Sequence, residues 1–391
     1  MDAIDHLLTR GVDHIYPSRE ALEKVLRSGK KLRLYQGFDP TGTQLHIGHA
    51  VGFRKLRQWQ DLGHHVIFLV GDGTGQAGDP SGKTTSRDKF MTRDELRANA
   101  RDYLKQASKI VRFDGDNPIE ILYNSDWLNK LTLVQILDLA GHFSWQQLAE
   151  RDLYQERIKS GETLNFREAL YPLLQGYDSV AMNVDLEQGG TDQSFNMLAG
   201  RQLMRQILHK EKFVMTVPLL SDSKGVKIGK TEGNAIGLTD PPNEFYGKIM
   251  SLGDDAIIPC FTLLTDTPLQ EIESMKIAMQ KGNPMTFKKR LAFELTKQFN
   301  SEVDAEIAQK EFETRFQKGD LVNATLPTIG EGTTLIETLV LSGIATSNTA
   351  ARRLIEQGAV KLNESPVSLQ LAPKPKTGDI IKAGKKAVKI V

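Results

Sequence analysis

The sequence predicts an α/β protein: a parallel-sheet domain first, then an α-helical block, then a small α+β tail. Three observations carry the prediction. Through the first 220 residues, short apolar runs alternate with helical stretches, the pattern of parallel strands joined by crossover helices. From about residue 240 the strand signal stops. After a Gly/Asn/Thr/Pro-rich stretch, KGDLVNATLPTIGEGTT, two short helices give way to short strands and turns, which marks a linker and a separate small unit.

Residues 1–30 read as helical, with Pro17-Ser18 opening a segment that runs through Leu26. KLRLYQGF (31–38) is a strand, and GHAVGFRKLRQWQDLG (48–63) is a helix closed by Gly63. HHVIFLVGD (64–72) is almost continuously apolar, as a strand buried on both faces requires. A glycine-rich loop at 71–82, a helical segment near 93–110 and the strand IEILYNSDW (119–127) follow. Helices then run to about residue 180, and MTVPLL (215–220) is a late strand. NEFYGKIMSLGDDAIIPCFTLLT and PMTFKKRLAFELTKQFNSEVDAEIAQKEFETRF are helical. In the tail the helices are LIETLVLSG and SNTAARRLIEQG, with turns at Asn363-Glu364 and Gly378-Asp379.

The 391 residues suffice for two or three domains. At 39% apolar and 25% charged, the composition is that of a soluble globular protein. No run approaches the ~18 apolar residues of a membrane span, and MDAIDHLLTRGVDHIY lacks a signal-peptide core. No membrane association is expected. Cys260 is the only cysteine, so no intrachain disulfide can form and a cytoplasmic location is expected. The net charge of +1 hides an asymmetry. Residues 333–391 hold 9 Lys+Arg against 4 Asp+Glu, and the other 332 residues hold 41 against 45. A basic tail on a mildly acidic body suggests a polyanionic partner.

The most informative stretch is LYQGFDPTGTQLHIGHA, 34–50. Strand, loop and helix here form half of a nucleotide-binding βαβ unit, whose ligands sit at helix N-termini beyond the strand ends. His46 and His49 share one helix face and add N–H donors where anions are already favoured. Gly48 removes a side chain between them, so something flat can approach the backbone. Alone, an H-x-x-H is more often a surface pair, and a zinc reading lacks further ligands at suitable spacing, so no metal site is expected. Later, YPLLQGYDS places Tyr171, Gln175 and Asp178 at i, i+4 and i+7, one stripe of a helix. Leu170, Leu173 and Leu174 make that helix largely buried, so the stripe needs polar partners. GDPSGKTT stops short of a phosphate-binding P-loop, with Ala77 where glycine is required and Asp79 set against phosphates.

HIGH after GFDPT resembles the first signature of the class I aminoacyl-tRNA synthetases. KIGKT at 227–231 resembles their second, lysine-rich signature. Either alone is weak, since a lysine-rich loop is usually a solvated turn. Both in order, about 180 residues apart on an α/β pattern, are far more specific. YQGFDPTGTQLHIGH, GDPSGK, YPLLQGYDS, GGTDQ, KIGKT and the tail narrow the resemblance to the bacterial tyrosyl-tRNA synthetase family. It covers essentially the whole chain.

That resemblance implies a Rossmann-like catalytic domain with a dimer-forming insertion (1–238), an α-helical anticodon-side domain (239–320), a linker (321–332) and an S4 RNA-binding domain (333–391). It implies that Tyr35 and Asp178 hold the phenolic hydroxyl of tyrosine. Tyr171, Gln175 and Asp79 would hold its ammonium, with Gln193 near its carboxylate. Gly37, Asp39, Thr41, His46, Gly48, His49 and Asp192 would line the ATP site, with Lys227, Lys230 and Thr231 closing over the phosphates. Mg²⁺ would accompany ATP, and no tightly bound cofactor is expected. Lys83 and Arg87 match positions near the tRNA acceptor end. In the tail, SGIATSNTAARRLIEQGAVKLNESPV matches the S4 pattern, with Ser347 capping a helix that carries Arg352 and Arg353. The partners implied are L-tyrosine, ATP, tRNA(Tyr) and a second copy of the chain.

Three positions depart from the family's better-known branch. Glu187 stands where that branch has glutamine, Ser194 where it has tryptophan, and Gly52 where it often has a small polar residue. A second bacterial branch is more similar, and the ribose and carboxylate contacts are the ones these changes touch. Two other readings remain open at this point: a tryptophan-specific relative, and a synthetase-like RNA-binding protein without catalysis.

Overall fold

Among the described residues, six strands build the main sheet: β1 (His14–Tyr16), β2 (Arg33–Phe38), β3 (His65–Val70), β4 (Glu120–Tyr123), β5 (Leu186–Gly190) and β6 (Phe213–Val217). Their order is β1-β6-β5-β2-β3-β4, with β1 antiparallel to β6 and all other neighbours parallel. The computed structural model describes residues 2–81, 90–149, 152–163, 165–221, 235–280, 282–314, 328–330, 334–363, 365–369, 373–384 and 386–391. From β2 the chain moves outward through β3 to β4, then returns to place β5 on the other side of β2. The order therefore reverses between β2 and β5, and in such sheets the crevice at the reversal point binds ligands.

The buried runs explain the centre of this sheet. Val66 to Val70 of β3 are all buried, as a strand covered on both faces demands. Phe38 stacks on Phe68 at 4.6 Å, with Phe53 against both. Helix Ile47–Asp61 packs over them through Phe53, Leu56 and Trp59. Helix starts are signalled by caps: Ser18 accepts the Ala21 N–H, while Thr92 with Glu95 and Thr132 with Gln135 close capping boxes. Each such cap contributes about 1 kcal/mol.

Two strands depart from the sequence reading. β1 lies inside the stretch read as helical; with three residues and only Ile15 buried, it has no periodicity to detect. β5, LEQGG, gives no apolar signal because Glu187 and Gln188 are buried for polar contacts. IEILYNSDW is strand only as far as Tyr123, and Ser125–Leu128 turns helical.

Helices Tyr171–Met182 and Ser194–Leu208 meet at two glycines. A Cβ on Gly176 would lie 3.1 Å from the Gly200 nitrogen, and one on Gly200 would lie 3.3 Å from the Gly176 Cα. The two backbones therefore touch, and neither position has room for a side chain.

The chain packs as two units, residues 1–241 with 248–295 and residues 242–247 with 296–391. From Pro242 to Phe312 the regular elements among the described residues are helical. The second unit ends in a sheet of order β7-β11-β10-β8-β9: β7 (Thr328–Ile329), β8 (Val360–Leu362), β9 (Ser365–Pro366), β10 (Ile380–Ala383) and β11 (Lys386–Ile390). β7 is a two-residue edge in the stretch read as linker; its pairing with β11 uses backbone only. Helices Leu335–Leu341 and Asn348–Glu356 close this sheet's core with Leu335, Leu339, Ala351, Ile355, Val360, Ile381 and Val388. Ser347 caps the second helix, as expected, by accepting the Ala350 N–H. Asn363 and Gly378 take positive φ at the expected turns. Among the described residues no helix is long and apolar enough to cross a membrane.

Candidate active site

A cavity of about 350 Å³ opens at the carboxyl ends of β2 and β5. The sequence reading named thirteen described residues for it: Tyr35, Gly37, Asp39, Thr41, His46, Gly48, His49, Asp79, Tyr171, Gln175, Asp178, Asp192 and Gln193. All of them line it. Lys83, Arg87, Lys227, Lys230 and Thr231 lie outside the described residues. Arg352 and Arg353 are exposed on their helix in the second unit.

One end of the cavity is deep and polar. Helix Tyr171–Met182 places its predicted stripe there. Asp178 is 1% exposed, and its carboxylate accepts from Trp127 Nε1 at 2.8 Å and Asn124 Nδ2 at 3.0 Å. Burial pushes its pKa well above the usual carboxylate range, while those two donors oppose the rise. Tyr35 rises from β2 with its hydroxyl 2.9 Å from Ser179 Oγ. Burial and the nearby Glu187 and Asp178 raise its pKa well above the ordinary phenol. The phenols here therefore stay protonated.

Further along the wall, Tyr171 donates to Asp39 Oδ2 at 3.0 Å, and Thr74 donates to Asp39 Oδ1 at 2.7 Å. Gln193 Nε2 donates to Asp79 Oδ2 at 2.8 Å, and Gln175 Nε2 donates to Glu187 Oε1 at 2.9 Å. Gly52 belongs to this wall for a steric reason. A Cβ there would meet the Gln36 amide at 2.7 Å. Gln188 donates to Gln36 Oε1 and to the Gly52 carbonyl, and its own Oε1 accepts from Trp59 Nε1. A polar residue at 52 has no space beside that amide network.

The other end is the first turn of helix Ile47–Asp61. Gly48 N–H donates to His46 Nδ1 and His46 N–H donates to His49 Nδ1, both at 3.2 Å, closing a capping box. The rings sit 4.0 Å apart. Because each Nδ1 accepts, this network assigns the ring hydrogen to Nε2 in the neutral imidazole. Two N–H donors thus converge at a helix N-terminus, where an anion is favoured. Residues just past 222–234 return here: Ile47 N–H donates to the Ile236 carbonyl, and Leu238 N–H to the Leu45 carbonyl. The chain that follows the lysine-bearing segment is thereby paired to the histidine turn.

Sequence reasoning missed Asn124, Thr74, Gln188 and Trp127. Asn124 follows the last residue of β4, at a carboxyl strand end, and that placement was the available signal. Gln188 and Trp127 offered none, because their partners lie 129 and 51 residues away in the chain.

A family model described as "tRNA synthetases class I (W and Y)" matches residues 27–317. A tyrosine–tRNA ligase of Dehalococcoides mccartyi (strain CBDB1) is 43% identical over 390 residues, 98% of this chain and 97% of its own. The chain belongs to the tyrosine–tRNA ligases. A second tyrosine–tRNA ligase, from Geobacter metallireducens, is 39% identical over 96% of this chain and 94% of its own length. Two solved structures share the fold. The C-terminally truncated mitochondrial tyrosyl-tRNA synthetase of Aspergillus nidulans has a TM-score of 0.65 at 24% identity, covering 80% of this chain and 94% of that one. The tyrosyl-tRNA synthetase of Archaeoglobus fulgidus, complexed with L-tyrosine, has a TM-score of 0.63 at 19% identity, covering 79% of this chain and 100% of that one. Among tyrosine–tRNA ligases, then, this chain carries Glu187, Ser194 and Gly52 at the three positions noted above. Ser194 donates to the Thr191 carbonyl at 2.6 Å and so fixes the turn that holds Asp192 and Gln193.

Proposed function

We propose that the cavity holds tyrosine at its deep end and ATP over the histidine turn, and that the chain is the tyrosine–tRNA ligase its family implies. The tyrosine carboxylate attacks the α-phosphorus of ATP. A carboxyl oxygen–phosphorus bond forms, the bond to the β-phosphate breaks, and pyrophosphate leaves. The 3'-terminal ribose hydroxyl of tRNA(Tyr) then takes the tyrosyl group and AMP departs. The first nucleophile is already ionised and needs no general base. Catalysis comes from alignment and from stabilising the charge on the departing pyrophosphate.

The roles are those the family resemblance implies, and the lining of the cavity supports them. Asp178 and Tyr35 receive the phenol. This is the observation that carries the reading: a buried carboxylate with two fixed donors stands beside a buried hydroxyl at the cavity's end. A site built to hydrogen-bond a phenol rejects phenylalanine because its own groups would be stranded, as tyrosine-specific synthetases exemplify. Tyr171, Gln175 and Asp79 receive the ammonium, and Gln193 lies near the carboxylate. Gly37, Asp39, Thr41, Gly48 and Asp192 surround ATP, with His46 and His49 Nε2–H aimed at its phosphates. Lys227, Lys230 and Thr231 would close over those phosphates. Mg²⁺ would enter on the ATP phosphates, held mainly by them beside Asp39 and Asp192 of the cavity wall, and would neutralise part of their charge.

The wider assignments are Lys83 and Arg87 toward the tRNA acceptor end and residues 239–320 toward the anticodon side. Residues 333–391 are an S4 RNA-binding domain using Arg352 and Arg353 on phosphates, in the cytoplasm. ATP–pyrophosphate exchange with tyrosine, tryptophan and phenylalanine tests the reading. Exchange with tyrosine alone is expected. Exchange driven by tryptophan would make it a tryptophan-specific relative, and none at all would leave an RNA-binding protein.

The pairing partner is a second copy of the chain. Leu133, Val134 and Leu137 are 71%, 65% and 61% exposed on one helix, and the exposed rings of Trp145 and Phe166 stack on each other at 6.2 Å. An exposed apolar face of this kind supports that reading. Leu137→Lys with Val134→Lys is expected to convert a dimer to monomer in light scattering. A doubly substituted protein that stays dimeric would place the interface elsewhere.

A further inference from the structure

Behind the deep end of the cavity lies an ion pair that the reaction itself does not use. Lys212 is fully buried and Glu187 is 1% exposed. Lys212 Nζ donates to Glu187 Oε2, and to Ser179 Oγ at 2.8 Å. Ser179 Oγ is also 3.4 Å from Glu187 Oε2 and 2.9 Å from the Tyr35 hydroxyl. The ammonium fits because residue 200 is glycine; a Cβ there would stand 2.6 Å from Nζ.

The consequence lies at the other carboxylate oxygen. With Oε2 committed to Lys212, Oε1 can only accept, wherever the proton between Nζ and Oε2 resides. It accepts from Gln175 Nε2 at 2.9 Å. A side-chain amide has one donor end and one acceptor end, so this bond decides which way Gln175 faces. Among the described residues, Gln175 Oε1 is left buried and without a hydrogen-bond partner in the cavity wall. A buried acceptor without a partner is costly unless a ligand completes it.

We infer that Glu187, held by Lys212, is a positioning residue that fixes the Gln175 amide so that Oε1 is presented to the ammonium of the bound amino acid. This rests on the assignment of Gln175 to the ammonium made above. It also gives a physical content to glutamate at position 187. Glutamine there would give its oxygen to Lys212 and turn its NH₂ toward Gln175, so the direction of the pair would reverse.

The test uses the full-length protein and two tyrosine fragments, titrated calorimetrically. Tyramine has the phenol and the ammonium; 3-(4-hydroxyphenyl)propanoate has the phenol and no ammonium. Glu187→Gln is expected to weaken tyramine by about tenfold or more, the scale of a hydrogen bond to a charged group, and to leave the propanoate within about twofold. Equal losses for both ligands, or none for either, would overturn the inference. Gln175→Ala separates it from the reading beneath it. If that variant leaves the ratio of the two affinities unchanged, the ammonium assignment itself is wrong. If it shifts the ratio while Glu187→Gln does not, the assignment stands and the role of Glu187 is refuted. Should Glu187→Gln fold poorly with Lys212 stranded, Glu187→Met with Lys212→Met leaves no buried charge and gives Gln175 Nε2 no acceptor. The same selective loss of tyramine is expected, and its absence counts against the inference equally.

Discussion

Asp178→Asn is expected to lower kcat/KM for tyrosine in ATP–pyrophosphate exchange by about a hundredfold or more. The reason is the direction of the existing hydrogen bonds. Both Trp127 Nε1 and Asn124 Nδ2 donate to this carboxylate, and neither can reverse while keeping its other contacts. Asn124 Nδ2 also donates to Thr74, and its Oδ1 accepts the Gly73 N–H. An asparagine amide at 178 would turn its NH₂ group against one of these donors. The cost combines a lost charge-assisted bond with a stranded buried donor, each about 1–3 kcal/mol. The loss should appear in tyrosine binding, with ATP affinity nearly unchanged. An Asp178→Asn enzyme within about threefold of the wild type would show that this carboxylate does not hold the phenol.

His46→Ala is expected to act on the other axis. Its Nε2–H is assigned to the charge that develops on pyrophosphate, an interaction stronger in the transition state than in the ground state. Loss of one such donor costs about a hundredfold in rate. Single-turnover adenylate formation should therefore fall by about that factor, while tyrosine affinity stays within about twofold. His46 also caps its helix through Gly48 N–H, so the variant should lose about 1 kcal/mol of stability as well. Denaturant unfolding measures that separately. Parallel losses in rate and tyrosine binding would contradict the assignment.

How much of this was legible in the sequence depended on range. The α/β alternation was readable because each buried strand declares itself by local apolarity, as β3 does. The stripe of Tyr171, Gln175 and Asp178 was readable because helical periodicity places i, i+4 and i+7 together. β5 was not readable, since a central strand that serves a binding site gives up its apolar signature. Nor was the Lys212–Glu187 pair: the residues stand 25 apart in the chain, on strand β5 and just before strand β6, and only the sheet pairing brings them together. Trp127 was obscured because IEILYNSDW reads as a single strand although the chain turns helical at Ser125.

The glycine seam between the two helices has a mechanical meaning. Side chains in a wall can change rotamer to admit a misfit guest, but main chain pressed on main chain has nowhere to go. Where Gly176 meets Gly200, directly beside Ser179 and the Lys212 ammonium, the wall behind the end of the cavity proposed for tyrosine has almost no compliance. Selection among amino acids can therefore lean on stiffness as well as on complementary polarity.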